Sequence, residues 1–209
     1  MTATPRNTYR HGDLRRALLD AGIELARAGG PDAVVLREAT RRAGVAPNAA
    51  YRHFANRDDL LGAVRAAAVA AAARFMEAEL ERVPLQGSAT EQARAKVRAV
   101  GAGYLRFAQT ETGLFRTAFG GQFSVQQQPD PAMGGATGRN PFEHLSAALD
   151  DLVAAGALPA ERRHGAEYLA WSTVHGMALL SLDGPLRGVP PPMLQALGQR
   201  LLDMVERGL

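Results

Sequence analysis

Apolar residues recur in this chain at three- and four-residue spacing almost from end to end, and that period constrains the fold more than any other feature. Leu14, Ala17, Ala21 and Leu25 form one stripe, closed by Gly29-Gly30. "VVLREATRRAG" forms a second and stops at Gly44; a short third segment covers 47–55. Leu60, Val64, Ala67, Ala71 and Phe75 then mark a helix expected over 56–83, about 40 Å long at a rise of about 1.5 Å per residue. Asn56, with Asp59 three residues on, reads as a loose capping box at its start. Residues 84–90 read as a loop, and Ala93, Val97, Val100, Tyr104 and Phe107 give the next stripe, followed by a brief "TGLFRTAFGG" segment. Residues 121–140, rich in Gly, Pro and Gln, read as a mobile loop. "NPFE" at 140–143 is a helix start, with Asn140 as cap, Pro141 in first position and Glu143 reaching back. Further helices are expected over 159–182 and 190–207. Strand signals are nearly absent. The expectation is an all-α chain of about nine helices, divided at 1–55, 56–83 and 84–209.

Composition excludes several classes of function. Cysteine is absent from the 209 residues, so there is no disulfide framework, thiolate metal site or thiol nucleophile. No run approaches the roughly 18–20 apolar residues of a membrane span, and "MTATPRNTYRHGDLRR" lacks the apolar core of a secretory signal. A cytoplasmic protein with no membrane association is expected. No Gly-x-Ser-x-Gly is present; "GAG" at 101–103 lies inside a helical stripe rather than after a strand. "GGATGR" at 134–139 lacks the Lys-Ser/Thr of a phosphate loop, and the five His are scattered without metal-ligand spacing. No catalytic residues, metal site or cofactor are expected.

Charge is placed unevenly. Residues 1–65 carry eleven Arg against seven Asp or Glu, whereas the remainder is close to neutral. A basic head on a neutral body suits a polyanionic partner, though a solvated face would look the same.

The segment "RRAGVAPNAAYRHFANRDDLL" at 41–61 sharpens this. Small Thr40 and Ala43 would let two helices cross, Gly44 tolerates the positive φ of a tight turn, and Val45 anchors the chain after it. The following helix is short and slim, with Asn48, Tyr51, Arg52 and His53 among small Ala49 and Ala50. Such a helix is the kind that enters a DNA major groove roughly 12 Å wide.

On these residues, "LREATRRAGVAPNAAYRHFANRDDLL" at 36–61 resembles the DNA-binding segment of the tetracycline-repressor (TetR) family of transcriptional regulators. "WSTVHG" at 171–176 resembles the Trp-x3-His-Gly element of one C-terminal class in that family. The chain departs from the pattern at Arg57, where Lys is common, and at Ala39 and Ala50, where larger aliphatics are usual. The resemblance implies a homodimer on double-stranded operator DNA. It implies phosphate contacts from Tyr51, His53 and Arg57, and base edges nearest Asn48, Ala49 and Arg52; Arg37, Thr40 and Pro47 complete the expected DNA-facing set. Packing beneath the helix is the alternative for Tyr51 and His53. Arg6 and Arg10 either reach a groove or form a solvated tail.

Helix 159–182 is apolar nearly all round, through Ala166, Leu169, Trp171, Val174, Met177 and Leu180, and so is buried on both sides. By resemblance it pairs with 190–207 and their copies in a dimer, with small Ala170, Thr173, Gly176 and Ala178 allowing close approach; an internal core helix is the alternative. Phe75, Tyr104, Phe107, Phe119, Phe142, Trp171 and His175 are the candidates to line a pocket for a small, largely apolar effector, or else simply pack. Two other readings stay open: a dimeric DNA-binding regulator with no ligand, and a helical enzyme with a vestigial head.

Overall fold

The computed structural model describes residues 11–120 and 130–208. Arg6, Arg10 and residues 121–129 lie outside the described residues. Nine α-helices and no strand occur among those described: α1 His11–Gly29, α2 Leu36–Ala43, α3 Pro47–Ala50, α4 Arg57–Leu80, α5 Ala89–Thr110, α6 Thr112–Phe119, α7 Pro141–Ala154, α8 Ala166–Leu182 and α9 Pro191–Gly208. No helix among them is long and apolar enough to cross a membrane.

The head is α1–α3 packed on the start of α4. Leu18, Leu25, Val34, Ala39 and Phe54 are buried there together with Leu60 and Val64 of α4. Gly22 is small because Val64 and Leu60 lie directly over it; a Cβ would come within 2.7 Å of Val64. The core of the head therefore continues past residue 55 into the first two turns of α4. The guanidinium of Arg15 stacks over Phe54, 5.1 Å from the ring centre.

α4 runs for 24 residues, about 36 Å, and carries the head into the body. Asn56 caps it, its side chain accepting from the Asp59 N–H. Asp59 returns a bond one residue earlier than a capping box requires, to the Ala55 N–H at 3.0 Å. In the body α5 is central and packs against α4, α6, α7, α8 and α9. It begins with a full capping box of Ser88 and Glu91, inside the stretch that spacing alone reads as loop. Where α5 crosses α4, a Cβ on Gly103 would fall 2.5 Å from the Met76 Cα, so the "GAG" glycine serves helix packing.

Two expectations need correction. The helix expected over 159–182 begins later. A 3-10 turn at Ala160–Arg162 precedes Gly165, which sits at φ 79°, and α8 starts only at Ala166. Arg163 holds this corner through the Asp150 and Glu167 carboxylates and Ser146. Secondly, residues 130–140 are not a loose loop. Asp130 caps a 3-10 turn at Pro131–Met133, Gly135 N–H bonds to the Arg139 carbonyl at 2.9 Å, and Ala136 and Thr137 dock on Glu77 of α4. That buried carboxylate accepts from the Ala136 N–H (2.8 Å), the Thr137 N–H (2.8 Å) and the Thr137 hydroxyl (2.7 Å), and faces His144 Nε2 at 3.3 Å. Burial pushes the Glu77 pKa up, but these donors outweigh it and hold the group below the ordinary carboxylate value. Burial keeps His144 below its ordinary value despite the carboxylate beside it.

Candidate functional site

The outward face of the head is built around one turn. α2 ends at Gly44, in the left-handed region at φ 68°, where a side chain would be strained. The Val45 N–H closes onto the Thr40 carbonyl at 3.1 Å. α3 opens with Pro47 and spans four residues, and the chain continues as a turn through His53. Ala50 and Phe54 point in and are buried. Asn48 and Arg52 are exposed, and Tyr51 is 59% exposed despite its ring. Ala49 and His53 are half-buried, and Arg37 on α2 is exposed. Asn48, Tyr51, Arg52 and Arg37 are therefore free to meet a partner.

Thr40 and Arg57 are occupied elsewhere. Thr40 is 2% exposed, and its hydroxyl donates to the Arg37 carbonyl at 2.7 Å; its small size at the helix crossing is what the fold uses. Arg57 donates from Nε to the Val34 carbonyl at 2.9 Å and from Nη2 to the Pro31 carbonyl at 2.8 Å. Its guanidinium ties the start of α4 to the α1–α2 connection. Glu38 is a feature that spacing did not single out. It takes both Arg41 (2.9 and 2.6 Å) and Arg42 (3.4 Å) on the exposed side of α2. The Arg41 hydrogen bonds hold its pKa at about 2, so part of the positive charge on α2 is already matched.

The body contains a cavity of about 180 Å³ whose walls include Met76 of α4, Tyr104 of α5, Phe119 of α6, Phe142 of α7 and Trp171 of α8. Of the seven predicted residues, Tyr104, Phe119, Phe142 and Trp171 line it. Phe75 and Phe107 do not: they pack edge to face at 5.5 Å in the α4–α5 contact, with Arg106 over Phe75. Helical spacing puts all these aromatics on inward faces and cannot tell a wall from solid core. His175 stands one layer behind, its Nδ1 2.7 Å from the Tyr104 hydroxyl, which also accepts from Trp171 Nε1 at 3.3 Å. Tyr104 is 2% exposed. Burial raises the pKa of its phenol and lowers that of His175, so all three groups are uncharged at neutral pH.

Two paths join the cavity to the head. One is α4 itself. The other is α6, whose Phe119 lines the cavity while its start abuts the end of α1: a Cβ on Gly113 would lie 2.2 Å from the Ala26 carbonyl oxygen. Arg27 of α1 bonds Glu111 at 2.7 Å beside this contact.

The outer faces of α8 and α9 remain apolar and uncovered. Leu169 is 64% and Met204 61% exposed, with Tyr168, Leu179, Leu180 and Met193 also outward. The small residues of α8 divide: Ala170 and Ala178 face the core, while Thr173 and Gly176 are half-buried. Val174 faces inward and lines the cavity.

Comparison with known proteins agrees with this architecture. Residues 18–64 match the family model for bacterial regulatory proteins of the tetR family, and residues 97–205 match that of a tetracyclin repressor-like C-terminal domain. No curated protein matches the chain. Among solved structures, a protein of unknown function from Rhodococcus sp. RHA1 is 25% identical with a TM-score of 0.75, covering 98% of this chain and 99% of its own. The transcriptional regulator FadR from Bacillus subtilis, solved with stearoyl-CoA, is 16% identical at TM-score 0.63, covering 93% and 98%. PfmR, a TetR family transcriptional regulator from Thermus thermophilus, is 19% identical at 0.54, covering 92% and 98%.

Proposed function

This chain belongs to the tetR family of bacterial regulatory proteins, and from that premise we propose that it is a homodimeric, ligand-responsive repressor of transcription in the cytoplasm. Members of the family are DNA-binding regulators, not enzymes. The observation that carries the reading is the outward set Asn48, Tyr51 and Arg52 on a one-turn helix and the turn after it, a segment whose described buried residues are Ala50 and Phe54. Arg52 can take guanine O6 and N7 and Asn48 adenine N6 and N7, while Tyr51 holds a phosphate. Two heads would read the half-sites of a pseudo-palindrome.

The division of labour is a DNA-binding head, a linking helix α4, and a body that dimerises and binds ligand. The uncovered apolar faces of α8 and α9 support dimerisation, since contiguous apolar surface of this kind marks an association site. The apolar cavity supports a small effector. Its arrival would shift α4 and α6 and so the spacing of the heads. A coupling of about 1–3 kcal/mol changes DNA affinity 5–150-fold, and DNA must weaken effector binding by the same factor.

A mobility-shift titration on genomic fragments tests the first step. Tyr51→Ala should weaken binding to every sequence, and Arg52→Ala should also change sequence preference. Wild-type binding by both variants would refute the assignment.

A further inference from the structure

We propose that the effector is an electrically neutral, largely hydrocarbon molecule whose one hydrogen-bonding group meets the Tyr104 hydroxyl. The inference rests on the reading of the body cavity as an effector site. It follows from what the walls leave unused.

Among the described residues, two formally charged side chains reach the cavity, Arg98 and Glu143. Arg98 is committed: Nη1 bonds Asp203 and lies 3.5 Å from Glu206, and Nη2 donates to Gln199 at 3.2 Å. Arg94 lies 3.5 Å from the same Glu206, so two guanidiniums meet two carboxylates and the cluster closes at zero charge. Glu143 is committed as well. It accepts the Asn140 N–H at 2.8 Å as the returning half of the α7 capping box, at a helix start whose dipole favours a carboxylate there. An anionic effector would thus be desolvated among side chains such as Val69, Phe119 and Leu145 with no unspent cation, which is strongly unfavourable, and a cationic one would meet only Glu143, a carboxylate already serving the α7 start.

Asn140 also lines the cavity, its Oδ1 engaged by the Glu143 N–H at 3.0 Å as the α7 cap; the hydroxyl set within the aromatic wall is that of Tyr104. A phenol has one donor and two acceptor positions. Trp171 takes one acceptor position of Tyr104, and His175 takes another position, acceptor or donor according to its tautomer. Either tautomer leaves one. If the phenol donates to His175, it has a lone pair left for a ligand hydroxyl or amide; if His175 donates, the phenol proton is left for a ligand carbonyl or ether. An alcohol, phenol, ketone or ester fits; a carboxylate, phosphate or ammonium does not.

The test uses the full-length protein at pH 7.5, with calorimetry and the fluorescence of Trp171, the sole tryptophan. The probes are 4-hexylphenol, 4-hexylbenzoate, 4-hexylbenzylammonium and hexylbenzene, which differ chiefly in their polar end. The phenol should bind at least ~30-fold more tightly than either ion. Tyr104→Phe should weaken the phenol roughly 3–10-fold, one neutral hydrogen bond, and leave hexylbenzene unchanged, which also shows that the cavity still forms. Benzoate or ammonium binding as tightly as the phenol overturns the neutral-ligand inference while leaving the effector site standing. A phenol affinity indifferent to Tyr104→Phe overturns the seat. Failure of all four probes to bind counts against the effector site itself, a separate loss.

Discussion

Glu77→Gln is the sharpest single test of how the body is organised. The carboxylate is buried on α4 and gathers residues 136, 137 and 144 onto that helix. Oε1 accepts from the Thr137 N–H and hydroxyl and faces His144, while Oε2 accepts from the Ala136 N–H. A glutamine can keep its oxygen at the Oε1 position, but its amide nitrogen then faces the Ala136 N–H, donor against donor. One charge-assisted bond is lost and the others weaken. That costs about 1.5–3 kcal/mol, and at roughly 2–4 °C per kcal/mol for a chain of this size, Tm should fall by about 3–12 °C. Amide exchange should accelerate at 136 and 137 before the rest of the body. Because residues 133 and 140–142 also line the cavity, effector coupling should weaken while head folding is unaffected. A Tm within 1 °C of wild type together with unchanged protection at 136 and 137 would refute the reasoning.

Four further outcomes are expected. Arg57→Ala should destabilise the head by about 1–3 kcal/mol through loss of its bonds to the Val34 and Pro31 carbonyls, visible by calorimetry without DNA; unchanged stability would return Arg57 to a purely DNA-facing role. Gly44→Ala should cost about 1–2 kcal/mol because its φ of 68° suits no side chain, and denaturant unfolding checks this. Leu169→Arg with Met204→Arg should give monomers that lose operator affinity, read by sedimentation. Stability should fall on acidification. His144 and His175 have lowered folded pKa values, so the unfolded chain binds more protons as pH drops through about 6.5. The Glu77 contribution, complete above the unfolded carboxylate value, is lost below about 4.5 as pH approaches its lowered folded pKa. Thermal melts between pH 8 and 4 that stay flat would contradict both.

What was legible in the sequence was local. Gly44, Asn56 and the Asn140–Glu143 box announce themselves within four residues, and the structure uses each as a turn or cap. The late start of α8 was masked by Pro159, a residue type common at a first helical position, and no pattern displays the backbone angle of Gly165. Residues 130–140 read as loose because the group that orders them lies more than fifty positions upstream. Glu77, in an Ala-rich helix, looks like any solvated carboxylate. Arg57 has the same difficulty: a basic residue at a helix start beside a DNA-binding motif suggests phosphate, and only the fold brings the Pro31 and Val34 carbonyls to it. The cavity was half legible. Tyr104, Phe119, Phe142 and Trp171 could be nominated, but no spacing rule distinguishes them from Phe75 and Phe107.

The burial of Leu60 and Val64 against Gly22 decides how such a protein can exchange parts. A recombination or a graft that cut at residue 55 would carry the recognition turn away from half of its own support, and the transplanted piece would arrive unfolded. A cut after residue 64 moves an intact reader, provided that the recipient's α6 can still nest against the end of α1. On the proposed reading, sequence preference would rest instead on Asn48 and Arg52, which are exposed and which the core scarcely uses. On that reading those positions could be rewritten one at a time, and new operators would be within reach of point substitutions.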